Sequence, residues 1–168
     1  VVKGSGGRGA QLTDHAIVTV EPSGRVTVHT GVSPHGQGTA TTFSQLVADE
    51  LGVTPSDVEV LHGDTDDLPS GGGTAASRGL VAGGSAMYYP LQEIRQKLIL
   101  IAAHLLRCAV EEVVFQEGRV FQRNNPGLDI PFSQVAAAAH GEELLPPGVT
   151  PGLDITGSHT VPLSPYAF

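Results

Sequence analysis

Two glycine-rich segments contain the residues whose types and spacing best suit ligand chemistry, and the first occupies residues 33–39. Its glycines let a ligand approach the backbone, and its glutamine can both donate and accept hydrogen bonds at the edge of a heterocycle. Threonine hydroxyls follow at the start of a predicted helix, whose first backbone N–H groups favour an anion or an amide-rich ring. The alternative interpretation is a glycine turn that leads into a threonine-capped helix. The candidate binding residues here are Gly36, Gln37, Gly38, Thr39, Thr41 and Thr42.

The second segment, residues 71–78, repeats this pattern, because glycines and small hydroxyl residues again lead into a predicted helix. Its candidate binding residues are Thr74, Ser77 and Arg78. The planar guanidinium of Arg78 carries a fork of donors that suits a phosphate group. Alternatively, Arg78 pairs with Asp64, Asp66 or Asp67 and only fixes the loop. Two such loops at successive strand-to-helix junctions are expected to open on one edge of the sheet and to bind one elongated ligand.

Other kinds of site are poorly supported by the sequence. Residues 4–9 fit the dinucleotide fingerprint G-x-G-x-x-G, but no strand precedes them and no helix follows to present a pyrophosphate. The acidic run at residues 64–67 begins like a calcium loop, whereas Ala75 stands where the bidentate glutamate should be. The histidines lack zinc-ligand spacing, and no G-x-S-x-G nucleophile elbow occurs. We therefore predict no catalytic residue and no metal ligand in this chain.

Composition and charge narrow the class of protein. The 168-residue chain has a formal net charge of -8 and no basic stripe, which argues against nucleic-acid binding. Its longest apolar stretch is too short to span a bilayer, and no signal sequence opens the chain. The single Cys108, interpreted as a buried small hydrophobe, fits a reducing cytoplasm, where we expect the protein to reside. Because the chain lacks an initiator methionine and ends on an apolar run, both ends are interpreted as cuts in a longer protein.

The first half of the chain is predicted to place both loops at strand ends. Runs of β-branched residues at 15–20 and 25–30 predict a hairpin. Apolar residues at helical spacing predict a helix that ends at Gly52, whose lack of a side chain suits a C-terminal cap. Residues 58–62 are predicted to form the next strand, so each glycine-rich loop follows a strand and precedes a helix.

The second half of the chain is predicted to be mainly helical over residues 80–108, where Pro90 should kink the helix or open a second one. A short hairpin and a weak helix at 132–140 follow. The order β-β-α-β-α-β-β-α predicts an α+β fold in two layers, with a mixed sheet and helices on one face. The chain divides into an irregular lead-in, a compact portion and a Pro- and Gly-rich tail that should pack poorly; these are residues 1–12, 13–143 and 144–168.

Taken together, these motifs resemble a known family in one collinear order over residues 12–140. The chain resembles the molybdopterin-binding large subunit of the molybdenum hydroxylases, which include xanthine dehydrogenase, aldehyde oxidase and carbon monoxide dehydrogenase. Its motifs are most similar to those of the carbon-monoxide-dehydrogenase-like branch. The matching segments are residues 34–38, 41–45, 48–52, 62–66, Thr74 with 77–78, 97–98 and 102–106.

The resemblance implies the molybdenum-cofactor-binding domain fold and a large subunit that binds molybdopterin cytosine dinucleotide without a covalent link. It implies oxidation of an aldehyde, a xanthine-like compound or carbon monoxide with water as the oxygen source, and electron transfer through iron–sulfur and FAD-binding partners. Carried over to this chain, residues 36–38 would lie against the cofactor near the metal. Ser77 and Arg78 would contact the dinucleotide portion.

The sequence also departs from the family pattern. Thr39-Ala40 stand where a polar pair such as His-Glu is frequent, and Pro90 interrupts a helix that is commonly unbroken. The catalytic glutamate of the family belongs to a Gly-Glu motif far downstream, and Gly141-Glu142 follow a weak helix at the wrong place, so the role is not transferred. We therefore expect this chain alone to hold no molybdenum and to be inactive. The alternative is a non-catalytic small-molecule-binding or assembly domain that has lost the cofactor.

Overall fold

The computed structural model describes residues 12–64, 66–68, 71–74 and 77–161. The glycine-rich residues 4–9 and the rest of the lead-in before Leu12 lie outside the described residues. The strands are β1 (Leu12–Val20), β2 (Val26–Thr30), β3 (Val58–His62), β4 (Val113–Gln116), β5 (Arg119–Gln122), β6 (Asn125–Pro131) and β7 (Asp154–Val161). The α-helices are α1 (Thr39–Leu51), α2 (Ser85–Leu106) and α3 (Phe132–His140).

A mixed four-stranded sheet in the order β3-β2-β1-β7 forms the centre of the molecule. The β1 strand is antiparallel to both β2 and β7, whereas β2 and β3 are parallel. Buried and half-buried residues alternate along β2, so one face of the sheet points into the apolar core. That face packs against α1 and α2. The prediction of a mixed sheet with helices on one face is confirmed.

The α1 helix makes the crossover that joins the parallel strands β2 and β3. It ends at Gly52, as predicted, where φ is 70° and the backbone N–H donates to Ala48 O at 2.8 Å. A β-carbon at Gly52 would lie 2.6 Å from the carbonyl carbon of Phe115. Left-handed backbone and close contact with β4 therefore both require glycine at this position.

The long helical segment begins as a turn of π-helix, Gly79–Gly84, and continues as α2. Pro90 lies inside α2 and is buried, so the prediction that it opens a second helix is wrong. The change of helix type occurs upstream, at Ser85. A proline within a helix removes one donor, which here leaves only the carbonyl of Ala86 without its usual partner four residues on.

A small antiparallel sheet, in the order β4-β5-β6, packs beside α2 and α3. The β4–β5 hairpin and α3 were predicted, whereas β6 was not, because its proline and glycine at 126 and 127 are unusual within a strand. Val120 of β5 and Val135 of α3 are fully buried in the same core as the main sheet. Both sheets therefore belong to one core.

The prediction of a poorly packed tail is wrong for the part that the structure describes. The β7 strand pairs with β1 from Asp154 to Val161, and Leu153 before it is fully buried. Lys97 Nζ donates to Gly152 O at 2.5 Å and so fixes the entry to this strand. The prolines and glycines at residues 146–152 lie in the turns that precede β7, and Gly157 lies within the strand, while residues 162–168 lie outside the described residues. In the described portion, no helix is long and apolar enough to cross a membrane.

Candidate functional site

The two predicted binding loops leave the carboxyl ends of the adjacent parallel strands β2 and β3. We call residues 31–38 the first loop and residues 63–78 the second loop; 65, 69, 70, 75 and 76 are outside the described residues. Gly73 N–H donates to Gly31 O at 3.2 Å, and Thr74 Oγ1 donates to Ser33 O at 2.5 Å. The loops therefore open on one edge of the sheet, as predicted, where ligands of open α/β sheets commonly bind.

A cavity of about 290 Å³ lies between the loops and the start of α1. It is lined by Gln37, Thr39, Thr42, Phe43, Thr74, Ser77, Gly79 and Leu80. The structure thus brings together residues predicted separately from both loops. Thr41 is exposed on α1 and is not among the lining residues, whereas Gly36 and Gly38 flank Gln37 in the first loop.

The Gln37 side chain folds back over its own loop. Its Nε2 donates to Ser33 O at 3.3 Å, and its Oε1 accepts the backbone N–H of His35. Ser33 O therefore accepts hydrogen bonds from both Gln37 and Thr74, which couples the two loops. A primary amide has two donor hydrogens and two acceptor lone pairs, so one of each is left for a ligand.

Gly36 and Gly38 have left-handed backbone, with φ of 93° and 74°. Among the described residues, apart from the two chain neighbours, no atom lies within 4 Å of the position that a β-carbon would take at either residue. Backbone conformation, not crowding within the protein, therefore explains these glycines, and the space beside them is open to a ligand.

The amino-terminal end of α1 carries no side-chain cap and no acidic residue in its first turn. The threonine cap of the alternative interpretation is therefore wrong, whereas its glycine turn agrees with the positive φ of Gly36 and Gly38. Thr42 Oγ1 donates to Gly38 O at 2.9 Å. Within the described residues, the first turn of α1 therefore has no side-chain cap, and its backbone N–H groups and partial positive charge lie beside the cavity.

Ser77, in the second loop, has a backbone conformation that is unusual for a residue with a side chain. Its φ is 59°, a left-handed conformation that costs a residue with a side chain about 1–2 kcal/mol. The residue is exposed and lines the cavity. Strained backbone of this kind is concentrated at ligand sites, because the surrounding structure must hold it in place.

Arg78 is not among the residues that line the cavity and is 4% exposed. Its Nη2 lies 2.8 Å from Oδ2 of Asp14, a β1 residue that is fully buried. The alternative pairing with an aspartate of its own loop is therefore wrong, since the partner belongs to β1. Within the described residues, Arg78 Nε is buried without a hydrogen-bond partner.

The sequence contains a signal for Asp14 that the motif-based predictions missed. In β1, Asp14 shares the core-facing register with Ala16, Val18 and Val20, all of which are fully buried. A carboxylate at a core position requires a charged or multiply donating partner, because an isolated buried charge is strongly unfavourable. The alternation of β1 could therefore have predicted a buried cation opposite Asp14.

Cys108 is only partly buried, near the end of α2. Burial and the nearby Glu112 raise the pKa of its thiol.

In the portion of the chain that the structure describes, no three His, Cys, Asp or Glu residues are grouped so that they could hold a metal ion.

The family model described as molybdopterin cofactor-binding domain matches residues 1–167. The chain is 30% identical over 160 residues to the carbon monoxide dehydrogenase large chain of Afipia carboxidovorans, an alignment that covers 95% of this chain and 20% of that protein. It is 32% identical over 144 residues to the nicotine 6-hydroxylase large subunit of Paenarthrobacter nicotinovorans, with 85% and 18% covered. The solved structure of quinoline 2-oxidoreductase from Pseudomonas putida 86 matches with a TM-score of 0.80 and 36% identity, covering 88% of this chain and 19% of that one.

The chain spans about a fifth of the length of these relatives. The match to the family model covers nearly the whole sequence, and the two loops and the mixed sheet that the motifs predicted are both present. This chain belongs to the molybdopterin cofactor-binding domain family.

Proposed function

We propose that this chain is part of the large subunit of a molybdenum hydroxylase and binds molybdopterin cytosine dinucleotide at the cavity between its two loops. The observation that carries the proposal is the convergence of both loops on one cavity at the ends of parallel strands. When bound, such a cofactor supplies oxidation of an aldehyde, a xanthine-like compound or carbon monoxide with water as the oxygen source.

The residues at this cavity suit a polar, anionic heterocyclic ligand. Gln37 offers a free donor and a free acceptor for the edge of a pterin, and hydroxyl groups surround it. The uncapped start of α1 offers backbone N–H groups to a phosphate. No acidic side chain is among the described residues that line the cavity, despite the net charge of -8 of the chain. The proposed contacts are Gly36, Gln37, Gly38, Thr39, Thr42, Thr74 and Ser77, with Thr41 and Arg78 beside them.

The size of the cavity indicates that this chain forms only part of the cofactor site. At about 290 Å³ it lies just below the range of small-molecule sites, roughly 300–1,000 Å³, and holds only part of a dinucleotide cofactor. We therefore propose that other segments of the subunit complete the site and that iron–sulfur and FAD-binding partners carry the electrons. The isolated chain should then hold no molybdenum and turn over no substrate. Near-stoichiometric molybdenum in the purified chain would contradict this.

A glycine exchange in the full-length enzyme tests the site directly. Gly38→Asn keeps a residue that tolerates left-handed backbone but places a side chain in the open space beside the first loop. Gly148→Asn is the matched control, because Gly148 also has a positive φ, of 85°, and open space around its β-carbon position, and lies in the tail. The molybdenum and cytidine content of each purified variant is measured beside its melting temperature.

We expect both variants to melt within a few degrees of the parent and only Gly38→Asn to lose most of its cofactor. Equal cofactor content in the two variants would place the ligand elsewhere. A wild-type enzyme that carries no molybdenum at all would favour the alternative of a non-catalytic binding or assembly domain.

A further inference from the structure

Asp14, Gly72 and Arg78 form a closed set of hydrogen-bonded contacts, which we call the clamp. Arg78 Nη2 lies 2.8 Å from Asp14 Oδ2, and Arg78 Nη1 donates to Gly72 O at 3.1 Å. The third side is the Gly72 N–H, which donates to Asp14 Oδ1 at 3.0 Å. Each member therefore contacts the other two. Asp14 of β1 accepts from the N–H of Gly72, and Arg78, which immediately precedes the π turn, donates to the C=O of Gly72.

The clamp has no room for a side chain at its centre. A β-carbon at Gly72 would lie 1.9 Å from Arg78 Nη1 and 2.1 Å from Cζ. Arg78 Nη2 also donates to the backbone carbonyl of Thr13 at 3.3 Å, which adds a second anchor on β1. The guanidinium is thus enclosed by backbone and by one carboxylate.

Two members of the clamp are close in sequence to residues that line the cavity. Thr74 follows Gly72 by two residues, and Ser77 immediately precedes Arg78; both line the cavity. Ser77 holds a left-handed φ of 59°, which the surrounding structure must enforce. Because residues on both sides of the loop are fixed by the clamp, the positions of the Thr74 and Ser77 hydroxyl groups depend on it.

We infer that Arg78 is a positioning residue, which acts with Asp14 to hold the Thr74 and Ser77 wall of the cavity in its ligand-binding shape before any ligand is present. The inference rests on the proposed function of the cavity and replaces the expectation that the Arg78 guanidinium binds a phosphate. Its charge is already balanced by Asp14, and its Nη atoms donate to the protein. A phosphate that drew the guanidinium away would leave the Asp14 carboxylate buried and unpaired, which is strongly unfavourable.

Variants of the full-length enzyme separate positioning from direct binding. Asp14→Asn, Arg78→Lys and Gly72→Ala each disturb the clamp, but only Arg78→Lys changes the cation itself. We expect each to lower bound molybdenum by about tenfold or more, the scale of one lost charged hydrogen bond. The double variant Asp14→Asn/Arg78→Lys should lose little more than either single variant, since both break the same set of contacts.

Two further measurements distinguish loss of the clamp from a general loss of stability. Arg95→Lys is a matched control, because Arg95 forms a partly buried ion pair with Glu50, 3.5 Å away, at the opposite end of α1 from the cavity. It should lower the melting temperature without a comparable loss of molybdenum. In cofactor-free protein, tryptic cleavage after residue 78 should be slow in the parent and in Arg95→Lys, and at least tenfold faster in Asp14→Asn and Gly72→Ala, because only these release the buried side chain.

The outcomes separate this inference from the proposed function. Direct phosphate binding by Arg78 predicts that Asp14→Asn keeps or gains cofactor while Arg78→Lys loses it, and this result would overturn the positioning role. Unchanged tryptic cleavage in Gly72→Ala would also overturn it, even if Asp14→Asn fails to fold. If Gly38→Asn loses cofactor and the clamp variants retain it, the cavity remains the site and the clamp inference alone is wrong.

Discussion

Gly157 of β7 lies directly against Pro90 of α2: a β-carbon at residue 157 would lie 2.4 Å from Pro90 Cδ. The same β-carbon would lie 2.3 Å from the carbonyl oxygen of Ala86, the group that loses its helical donor because proline has no N–H. Proline is unfavourable within helices and glycine within strands, yet Pro90 and Gly157 contact each other here. Together they allow β7 to approach α2 closely.

Gly157→Ala should therefore lower the free energy of unfolding by about 1–3 kcal/mol, the usual cost of overpacking a rigid contact. Neither the Pro90 ring nor the Ala86 backbone can move aside as a flexible side chain could. Gly141→Ala is the control, because in the described part of the chain no atom other than those of its two neighbours lies within 4 Å of its β-carbon position, and its φ is -104°. Urea unfolding should show a change within about 0.5 kcal/mol for the control. Equal stability of both variants would contradict this close contact.

The elements that the sequence predicted are those whose signals are local. The β1–β2 hairpin, α1 and β3 follow from alternation, helical spacing and a capping glycine within a few residues of each element. The convergence of the two loops was also predictable, since consecutive strand-to-helix junctions of a parallel pair meet at one sheet edge.

The features that the sequence did not predict depend on contacts distant in the chain. The tail was expected to pack poorly, yet Thr160 of β7 pairs with Thr13 of β1, a separation of 147 residues. The local charge pattern predicted an aspartate of the same loop as the partner of Arg78, whereas the actual partner is Asp14, 64 residues away in the sequence. Composition describes the Pro- and Gly-rich turns before β7 well but says nothing about which strand lies beside them. The cofactor contacts themselves remain predictions.

Ser77 allows the role of a hydroxyl group to be separated from that of a strained backbone. Ser77→Gly removes the side chain and relieves the left-handed strain, which should stabilise the folded chain. The greater flexibility of glycine in the unfolded chain opposes this gain, so the free energy of unfolding should change by less than about 1 kcal/mol. Ser77→Ala keeps the strain and removes only the hydroxyl. Both should release cofactor from the full-length enzyme faster than the parent, by roughly 2–10-fold for one neutral hydrogen bond. Faster release from Ser77→Gly alone would mean that rigidity, not the hydroxyl, matters.

Arg119 and Asp129 provide a pH-dependent contact away from the site. The hydrogen bond from Arg119 Nε to Asp129 Oδ2, at 2.6 Å, lowers the pKa of Asp129. A folded pKa below the unfolded one stabilises the protein above the unfolded value and loses this effect as pH falls through the folded value. Arg119→Gln should therefore raise the Asp129 pKa in an NMR titration and lower stability slightly at neutral pH.

The stability difference should disappear below the folded pKa of Asp129 and shrink in 1 M salt, because the pair is exposed and screened. Arg119→Lys keeps the charge but changes the donor geometry. Its Asp129 pKa and its stability should therefore lie between those of the parent and those of Arg119→Gln. A titration of Asp129 that is identical in all three proteins would show that the contact is not formed in solution.

Gln37 offers the sharpest test of the charge of the ligand. Gln37→Ala removes the bonds to His35 and Ser33 and the proposed pterin contact, so cofactor release should quicken roughly 2–10-fold. Gln37→Glu keeps an acceptor for the His35 N–H but loses the donor to Ser33 O and adds a negative charge at the cavity. If the bound group is anionic, the glutamate variant must release cofactor faster than the alanine variant, and high salt must narrow the difference. Equal release rates from the two variants would show that Gln37 faces a neutral part of the ligand, and slower release from Gln37→Glu would place a cationic or strongly donating group there. Release is measured as molybdenum lost on dilution, with Gly148→Asn, a tail residue outside the lining, as the control that should leave the rate unchanged.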